Sequence, residues 1–217
     1  MYSTNNMVSG RTVVVAGYGY CGSGIAKRAA GLGANVIITE IDRHKALAAL
    51  MDGFRVMPMS EAAPLGDIFV TATGCTKVIT TEHFKVMKNN VLLANAGHFD
   101  VEVDRSALEA MCTKMENRKP FIDGYHLDNG KVLNLLAEGR LVNIVAGNGH
   151  PAEIMDLSFS IQLLGALHAA KHAKQLKPAL YDIPKEIDDE VARIKIEAMG
   201  LCIDTLTPEQ AAYLGSM

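Results

Sequence analysis

A strand, a glycine-rich turn and a helix follow one another near the start of the chain, and this order constrains the fold most strongly. Residues 13–16 (Val-Val-Val-Ala) have the composition of a strand that is buried on both faces. Gly17, Gly19 and Gly22 follow with the spacing G-x-G-x-x-G, and a helical pattern begins there. Such a turn brings backbone N–H groups and the positive end of the helix dipole to a pyrophosphate. The segment therefore predicts a dinucleotide-binding βα unit.

A second apolar run, at residues 35–39, ends in Glu40. An acid at the tip of the second strand accepts hydrogen bonds from the ribose and repels a 2′-phosphate, which favours NAD over NADP. Arg43 and Lys45 follow closely. Either they weaken this preference slightly, or they are solvated charges on the next helix. The pattern indicates NAD as the cofactor.

Strand-like and helical segments alternate as far as residue 149. This alternation predicts an α/β fold, a Rossmann-like doubly wound parallel sheet followed by C-terminal helices. Asp128-Asn129-Gly130 predicts a hairpin turn, residues 106–115 a helix, and residues 141–146 the last strand. We expect an NAD-binding domain at residues 1–149 and a helical C-terminal segment at residues 150–217.

The C-terminal segment opens with a long helical pattern. Residues 151–174 are apolar nearly all round, so this helix is expected to be buried. An amphipathic helix over 187–199 and a short helix beginning with Pro208 at its first position follow.

Composition excludes several classes of partner. The net charge of −3 gives no reason to expect nucleic acid or an anionic membrane. The longest apolar runs fall short of the ~18 residues of a membrane span, and no secretory signal is visible. Cys21, Cys75, Cys112 and Cys202 include no C-x-x-C pair, which argues against a metal site or a disulfide framework and predicts reduced thiols in a cytoplasmic protein.

Longer motifs resemble those of the S-adenosyl-L-homocysteine hydrolase (adenosylhomocysteinase) family. They include Asp-Ile-Phe-Val-Thr-Ala-Thr-Gly at 67–74, Asn-Ala-Gly-His-Phe-Asp at 95–100 and Gly-His-Pro-Ala-Glu-Ile-Met-Asp at 149–156, and the resemblance runs from residue 4 onward. It implies reversible hydrolysis of S-adenosyl-L-homocysteine to adenosine and homocysteine through a transient 3′-keto intermediate, with tightly bound NAD. Because family members are longer, it also implies that an N-terminal substrate domain is missing and that the isolated chain is inactive.

The resemblance implies roles for individual residues. Those expected to bind NAD are Gly17, Tyr18, Gly19, Tyr20, Cys21, Gly22, Glu40, Thr73, Gly74, Ala96, Gly97 and Asn143. His98 is expected to transfer a proton and to contact the small-molecule substrate, and His150 to contact the substrate near its ribose and adenine.

Plainer interpretations of these residues stay open. His98 could be structural or solvent-exposed, His150 could cap the long helix, and Asn143 could be a hydrogen-bonding residue at a strand end. Cys21 is either a reactive thiol near a helix N-terminus or a small filler residue.

Three functions are compatible with the sequence at this point. The protein is the NAD-binding half of the hydrolase, a stand-alone NAD-binding module, or an NAD-dependent oxidoreductase related to 2-hydroxyacid dehydrogenases. An oxidoreductase of the 2-hydroxyacid dehydrogenase type would have an arginine, an acid and a histidine on the later loops. The motifs at 95–100 and 149–156 fit that pattern poorly. Without a substrate domain the 151–174 helix exposes an apolar face, so a homo-oligomer is expected.

Overall fold

The computed structural model describes residues 3–215 and separates the protein into two compact units, residues 1–149 and 150–217. In the first unit the strands are β1 (Thr12–Ala16), β2 (Asn35–Thr39), β3 (Arg55–Val56), β4 (Ile68–Thr71), β5 (Val91–Asn95), β6 (Cys112–Lys119), β7 (Ile122–Leu127) and β8 (Val132–Leu136). Its helices are α1 (Tyr20–Gly31), α2 (Arg43–Met51), α3 (Met59–Ala62), α4 (Thr81–Val86), α5 (Arg105–Met111) and α6 (Val142–Val145), with a 3₁₀ turn at Ala137–Gly139.

Within residues 3–215 the eight strands form one sheet in the order β3-β2-β1-β4-β5-β8-β7-β6. The pairings from β3 to β8 are parallel, whereas β7 runs antiparallel to both β8 and β6. The strand order reverses between β1 and β4, and ligands bind at such a switch point, outside the carboxyl ends of the strands. The predicted doubly wound α/β fold is confirmed, with an antiparallel hairpin added at one edge.

The central strands are buried on both faces because helices cover both sides of the sheet. Val14 and Leu93 face a cluster that includes Phe84 of α4 and Leu108 of α5. Val13 and Val15 face a second cluster with alanines of α1 and α2. This double burial accounts for the unbroken apolar runs in the sequence.

Two local predictions in this unit were wrong. The helix expected at 106–115 ends at Met111, and residues 112–119 form β6 instead. The strand expected at 141–146 is the short helix α6, preceded by a single parallel bridge between Leu141 and Asn95. Strand β8 already occupies the edge of β5, which leaves room for one bridging residue only. The Gly149 N–H then closes the turn on the Asn143 carbonyl at 2.8 Å.

The second unit is helical, with α7 (Ala152–His172), α8 (Lys185–Ala198) and α9 (Pro208–Gly215). Val191 of α8 is buried, and Lys195 pairs with Asp156 of α7 at 2.9 Å. The expectation that α7 is buried was wrong for this protein, because none of its residues is buried within residues 3–215. Over the same residues, no helix has the length and apolarity to cross a membrane.

Candidate functional site at the carboxyl edge of the sheet

The turn between β1 and α1 is built by two glycines that pack against backbone. Gly17 has a φ of +94°, and a Cβ there would lie 2.6 Å from the carbonyl oxygen of Ala72. A Cβ on Gly22 would lie 1.9 Å from the carbonyl oxygen of Gly17. Neither position accepts a side chain, because the turn is tight and abuts the loop after β4.

Gly19 has a different reason to be glycine. It precedes α1 with a φ of −82°, which any residue adopts, and among the described residues nothing lies within 4 Å of its missing Cβ. The open space adjoins the first N–H groups of α1, which lack partners within the helix. A pyrophosphate close to the backbone would need this space and these donors, so the turn fits a dinucleotide.

Glu40 follows β2, and its carboxylate reaches back to the glycine turn. One oxygen accepts the Tyr18 N–H at 2.6 Å, and the other accepts the N–H groups of Ile41 and Asp42 at 2.7 and 3.0 Å. Partial burial opposes ionisation, but these three N–H groups, together with Lys45, outweigh it and lower the pKa of Glu40. The carboxylate retains acceptor capacity on the oxygen that faces Tyr18, which suits a ribose hydroxyl.

Tyr18, Tyr20 and Cys21 lie between the glycines of the turn. The side chain of Tyr18 points away from the turn. Its ring is buried against Phe54, and its hydroxyl donates to Asp52 at 2.6 Å. Burial and this hydrogen bond raise the pKa of Tyr18 to about 12. Tyr18 can therefore serve a cofactor only through its backbone, whereas Tyr20 is fully exposed at the start of α1.

Cys21 is accessible, but its environment does not favour a thiolate. Partial burial of the sulfur and then the negative charge of Glu102 raise the pKa of the Cys21 thiol. A raised pKa supports a filler role in the turn rather than a reactive one.

The loop after β4 carries Thr73 and Gly74 and is held by a carboxylate from the neighbouring loop. Glu102 is 1% exposed. Its oxygens accept the Thr73 N–H at 3.0 Å, the Thr73 hydroxyl at 2.6 Å and the Gly74 N–H at 2.9 Å. The loops that follow β4 and β5 are thus joined through one buried side chain.

Asn95, at the end of β5, shapes the loop that presents His98. Its buried amide donates to the carbonyls of Phe99 and Gly139 at 2.7 and 2.9 Å. Its side-chain oxygen accepts the Gly97 N–H at 2.7 Å. The intervening Ala96 continues the sheet through a 2.7 Å hydrogen bond to Thr71. These bonds fix the backbone on both sides of His98.

His98 is exposed and stands edge-on to Phe99, with 4.6 Å between the ring centres. It borders a cleft of about 370 Å³ whose walls come from the 97–100 loop and from α6. The lining residues are His98, Phe99, Asp100, Arg140, Leu141, Ile144 and Val145. A small ligand could therefore reach the imidazole from this cleft.

The remaining predicted residues lie at different places in the protein. Asn143 is a half-exposed residue of α6, beside the cleft residues Ile144 and Val145. His150 is exposed and begins the second unit. Within the first unit the structure gathers the glycine turn, the 72–74 loop and the 96–98 loop into one stretch of the sheet edge.

Two residues of this site were missed as functional candidates. Glu102 lies between Val101 and Val103, a pattern that suggests a solvent-facing strand residue rather than a buried carboxylate. Asn95 stands within the motif at 95–100 but had no predicted role of its own. Its place at the end of a fully apolar strand was the available signal, because an amide there needs several partners.

Comparisons with known proteins agree with this geometry. Residues 1–149 match the family described as S-adenosyl-L-homocysteine hydrolase, NAD binding domain. Adenosylhomocysteinase of Gloeothece citriformis is 53% identical over 99% of this chain and 50% of its own length. S-inosyl-L-homocysteine hydrolase of Methanopyrus kandleri is 54% identical over 100% of this chain and 51% of its own length.

Among solved structures, a dipicolinate synthase from Bacillus subtilis is 19% identical with a TM-score of 0.52, and the match covers 77% of the present protein and 49% of that one. That likeness shows the fold alone. The chain spans about half the length of the curated relatives that it matches. Because the family match covers the whole first unit and these relatives align with almost the entire sequence, the chain belongs to the S-adenosyl-L-homocysteine hydrolase family and carries its NAD-binding domain.

Proposed function

We propose that this chain is the NAD-binding part of an adenosylhomocysteinase, which reversibly hydrolyses S-adenosyl-L-homocysteine to adenosine and homocysteine. The proposal rests on three features that lie along one stretch of the sheet edge. They are the glycine turn, the 72–74 loop held by Glu102, and His98 at the border of its cleft. Bound NAD supplies a reversible acceptor for the hydride of the substrate ribose, and the protein contributes binding, orientation and proton transfer.

The residues take the following roles in this proposal. The backbone around Gly19 and the first turn of α1 binds the pyrophosphate, and Glu40 accepts a hydrogen bond from the adenosine ribose of NAD. Thr73, Gly74, Ala96, Gly97 and Asn143 lie along the nicotinamide side. The His98 imidazole exchanges a proton with the substrate from the wall of the cleft, and His150 contacts the substrate.

The whole enzyme is proposed to work in the cytoplasm as a homo-oligomer on a small-molecule substrate. All four cysteines are free thiols, which suits a reducing compartment. In this proposal residues 1–149 form the NAD-binding domain. Residues 150–217 form a helical segment that belongs with the substrate domain, and the exposed apolar residues of α7 supply its contacts.

Thiol release from S-adenosyl-L-homocysteine tests the proposal. The purified chain with added NAD is expected to bind NAD and to release no homocysteine, because it spans half the length of its relatives. Release is expected when the remaining part of the enzyme is supplied. S-inosyl-L-homocysteine is assayed in parallel, because a relative of this chain carries that substrate in its name. Absence of NAD binding would contradict the proposal.

A stand-alone NAD-binding module is the second candidate, favoured by the compactness of the first unit. The two candidates differ in whether a partner completes the active site. Isolation of the protein from its source separates them. A copurifying polypeptide that restores thiol release supports an adenosylhomocysteinase divided between two chains, whereas NAD binding with no such partner supports the stand-alone module.

A further inference from the structure

We propose that Glu102 is a positioning residue for the nicotinamide half of the cofactor site, acting through the 72–74 loop and the backbone beside His98. The inference rests on the proposed function, because it assumes that NAD lies along this edge of the sheet. Glu102 is not among the residues expected from the sequence to have a role. Its hydrogen bonds join two loops that follow different strands.

The contacts of Glu102 define the role. Its side chain is 1% exposed, and among residues 3–215 the hydrogen bonds that it accepts come from Thr73 and Gly74. The N–H groups of Thr73 and Gly74 can only donate, so they need an acceptor such as the Glu102 side-chain oxygens. The Glu102 backbone carbonyl also accepts the N–H groups of Val78 and Ile79 at 2.7 and 3.1 Å. The residue is therefore anchored on both its main chain and its side chain.

Gly97 leaves room for this carboxylate. A Cβ on Gly97 would lie 1.8 Å from Glu102 Oε1, so the carboxylate occupies the volume that a side chain would take. Its backbone does not require glycine, because its φ lies outside the left-handed region. The glycine that precedes His98 is thus explained by the space that Glu102 needs.

The same loop contacts the glycine turn. The carbonyl oxygen of Ala72 lies 2.6 Å from the position of a Gly17 Cβ, and Thr73 follows directly. A shift of the 72–74 loop would therefore change the surface between the turn and His98. Glu40, at the adenosine end, forms its hydrogen bonds independently of Glu102. Loss of Glu102 should accordingly weaken contacts with the nicotinamide end and spare those with the ADP-ribose end.

The substitution Glu102→Gln tests this directly. Glutamine keeps the shape, but its NH₂ group meets an N–H donor where a carboxylate oxygen stood. Affinity for NAD is expected to fall about tenfold, which corresponds to about 1.4 kcal/mol. Affinity for ADP-ribose, which lacks nicotinamide, is expected to stay within about twofold. Titration calorimetry measures both, and Glu61→Gln, an exposed glutamate of α3, is the matched control.

Hydrogen exchange of the unmodified chain tests whether Glu102 holds the 72–74 loop, even if the Glu102→Gln variant folds poorly. Gly74 is exposed, yet its N–H is bound to Glu102 at 2.9 Å, so slow exchange at Thr73 and Gly74 is expected. Free exchange at these two amides would overturn the inference, as would equal weakening of NAD and ADP-ribose, or no change, in Glu102→Gln. Failure of the unmodified chain to bind either nucleotide would instead overturn the NAD site, and the inference with it.

Discussion

Among single residues, Glu40 is the one that we expect to determine the choice between NAD and NADP. Its carboxylate is held by three backbone N–H groups and has a lowered pKa, so it is charged at neutral pH. Glu40→Gln is expected to weaken NAD binding about tenfold, because a hydrogen bond to a charged acceptor becomes one to a neutral acceptor. The preference for NAD over NADP should narrow, because the charge that repels a 2′-phosphate is lost. Fluorescence titration with both reduced cofactors measures the change.

Arg43 and Lys45 provide the control for this prediction. Both are exposed on α2, and the Lys45 charge helps to lower the pKa of Glu40. If these two side chains are solvated charges, the Arg43→Ala variant keeps the preference for NAD over NADP. If the Glu40→Gln variant kept the original preference for NAD over NADP, a group other than Glu40 would determine that preference.

The places of the site residues in the fold were predictable where the backbone pattern alone determines them. The positions of Gly17, Gly22 and Glu40 follow from the order of strand, turn and helix. The inward direction of Tyr18 depends on Asp52 and Phe54, which lie more than thirty residues further along the sequence. Glu102 depends in the same way on a loop from another strand. Contacts between distant segments are absent from local patterns, so the placement of these two side chains required the structure.

At the scale of elements, α4 begins with a cap that depends on pH. The ring nitrogen Nδ1 of His83 accepts the Thr80 N–H at 3.1 Å, which requires a neutral imidazole. Burial lowers the pKa of His83 below its ordinary 6.5, and the Glu82 carboxylate partly offsets this. The folded state therefore disfavours protonation of this ring. Its contribution to stability is full above pH 6.5 and declines as the pH falls through the lowered pKa.

His83→Gln tests this cap, because glutamine accepts the same hydrogen bond and does not titrate in this range. Melting temperatures at about pH 7.5 and about pH 5.5 give the acid-induced loss of stability. The loss is expected to be smaller in His83→Gln than in the unmodified chain, and unchanged in His44→Gln, which alters an exposed histidine of α2. An equal loss in all three proteins would assign the acid sensitivity to other groups.

Most elements could be predicted from the sequence because their signals are local. Asp128-Asn129-Gly130 marks the turn between β7 and β8, and that hairpin is confirmed. The strand predicted at residues 141–146 was wrong because a short apolar run suits either a strand or a buried turn of helix. Residues 141–146 do not extend the sheet as a strand because β8 already pairs with residues 91–93 of β5.

For the whole molecule, the exposed side of α7 is the feature that calls for a partner. Phe159, Leu163 and Leu167 recur every fourth residue and are 57%, 62% and 46% exposed. Residues at this spacing lie on one helix face and form a continuous apolar stripe. The length and helical character of α7 were predictable from its pattern.

Self-association of the purified chain is the expected consequence, because an apolar stripe of this kind is poorly tolerated by a soluble monomer. Size-exclusion chromatography with light scattering should give a mass above that of the monomer at micromolar concentration. The double substitution Phe159→Gln and Leu163→Gln should raise the dissociation constant at least about tenfold, because large apolar side chains leave the interface. Leu180→Gln makes the same change as Leu163→Gln at a side chain that is 98% exposed outside α7, and should leave the mass unchanged. A clean monomer of the unmodified chain would show that the stripe alone does not drive association.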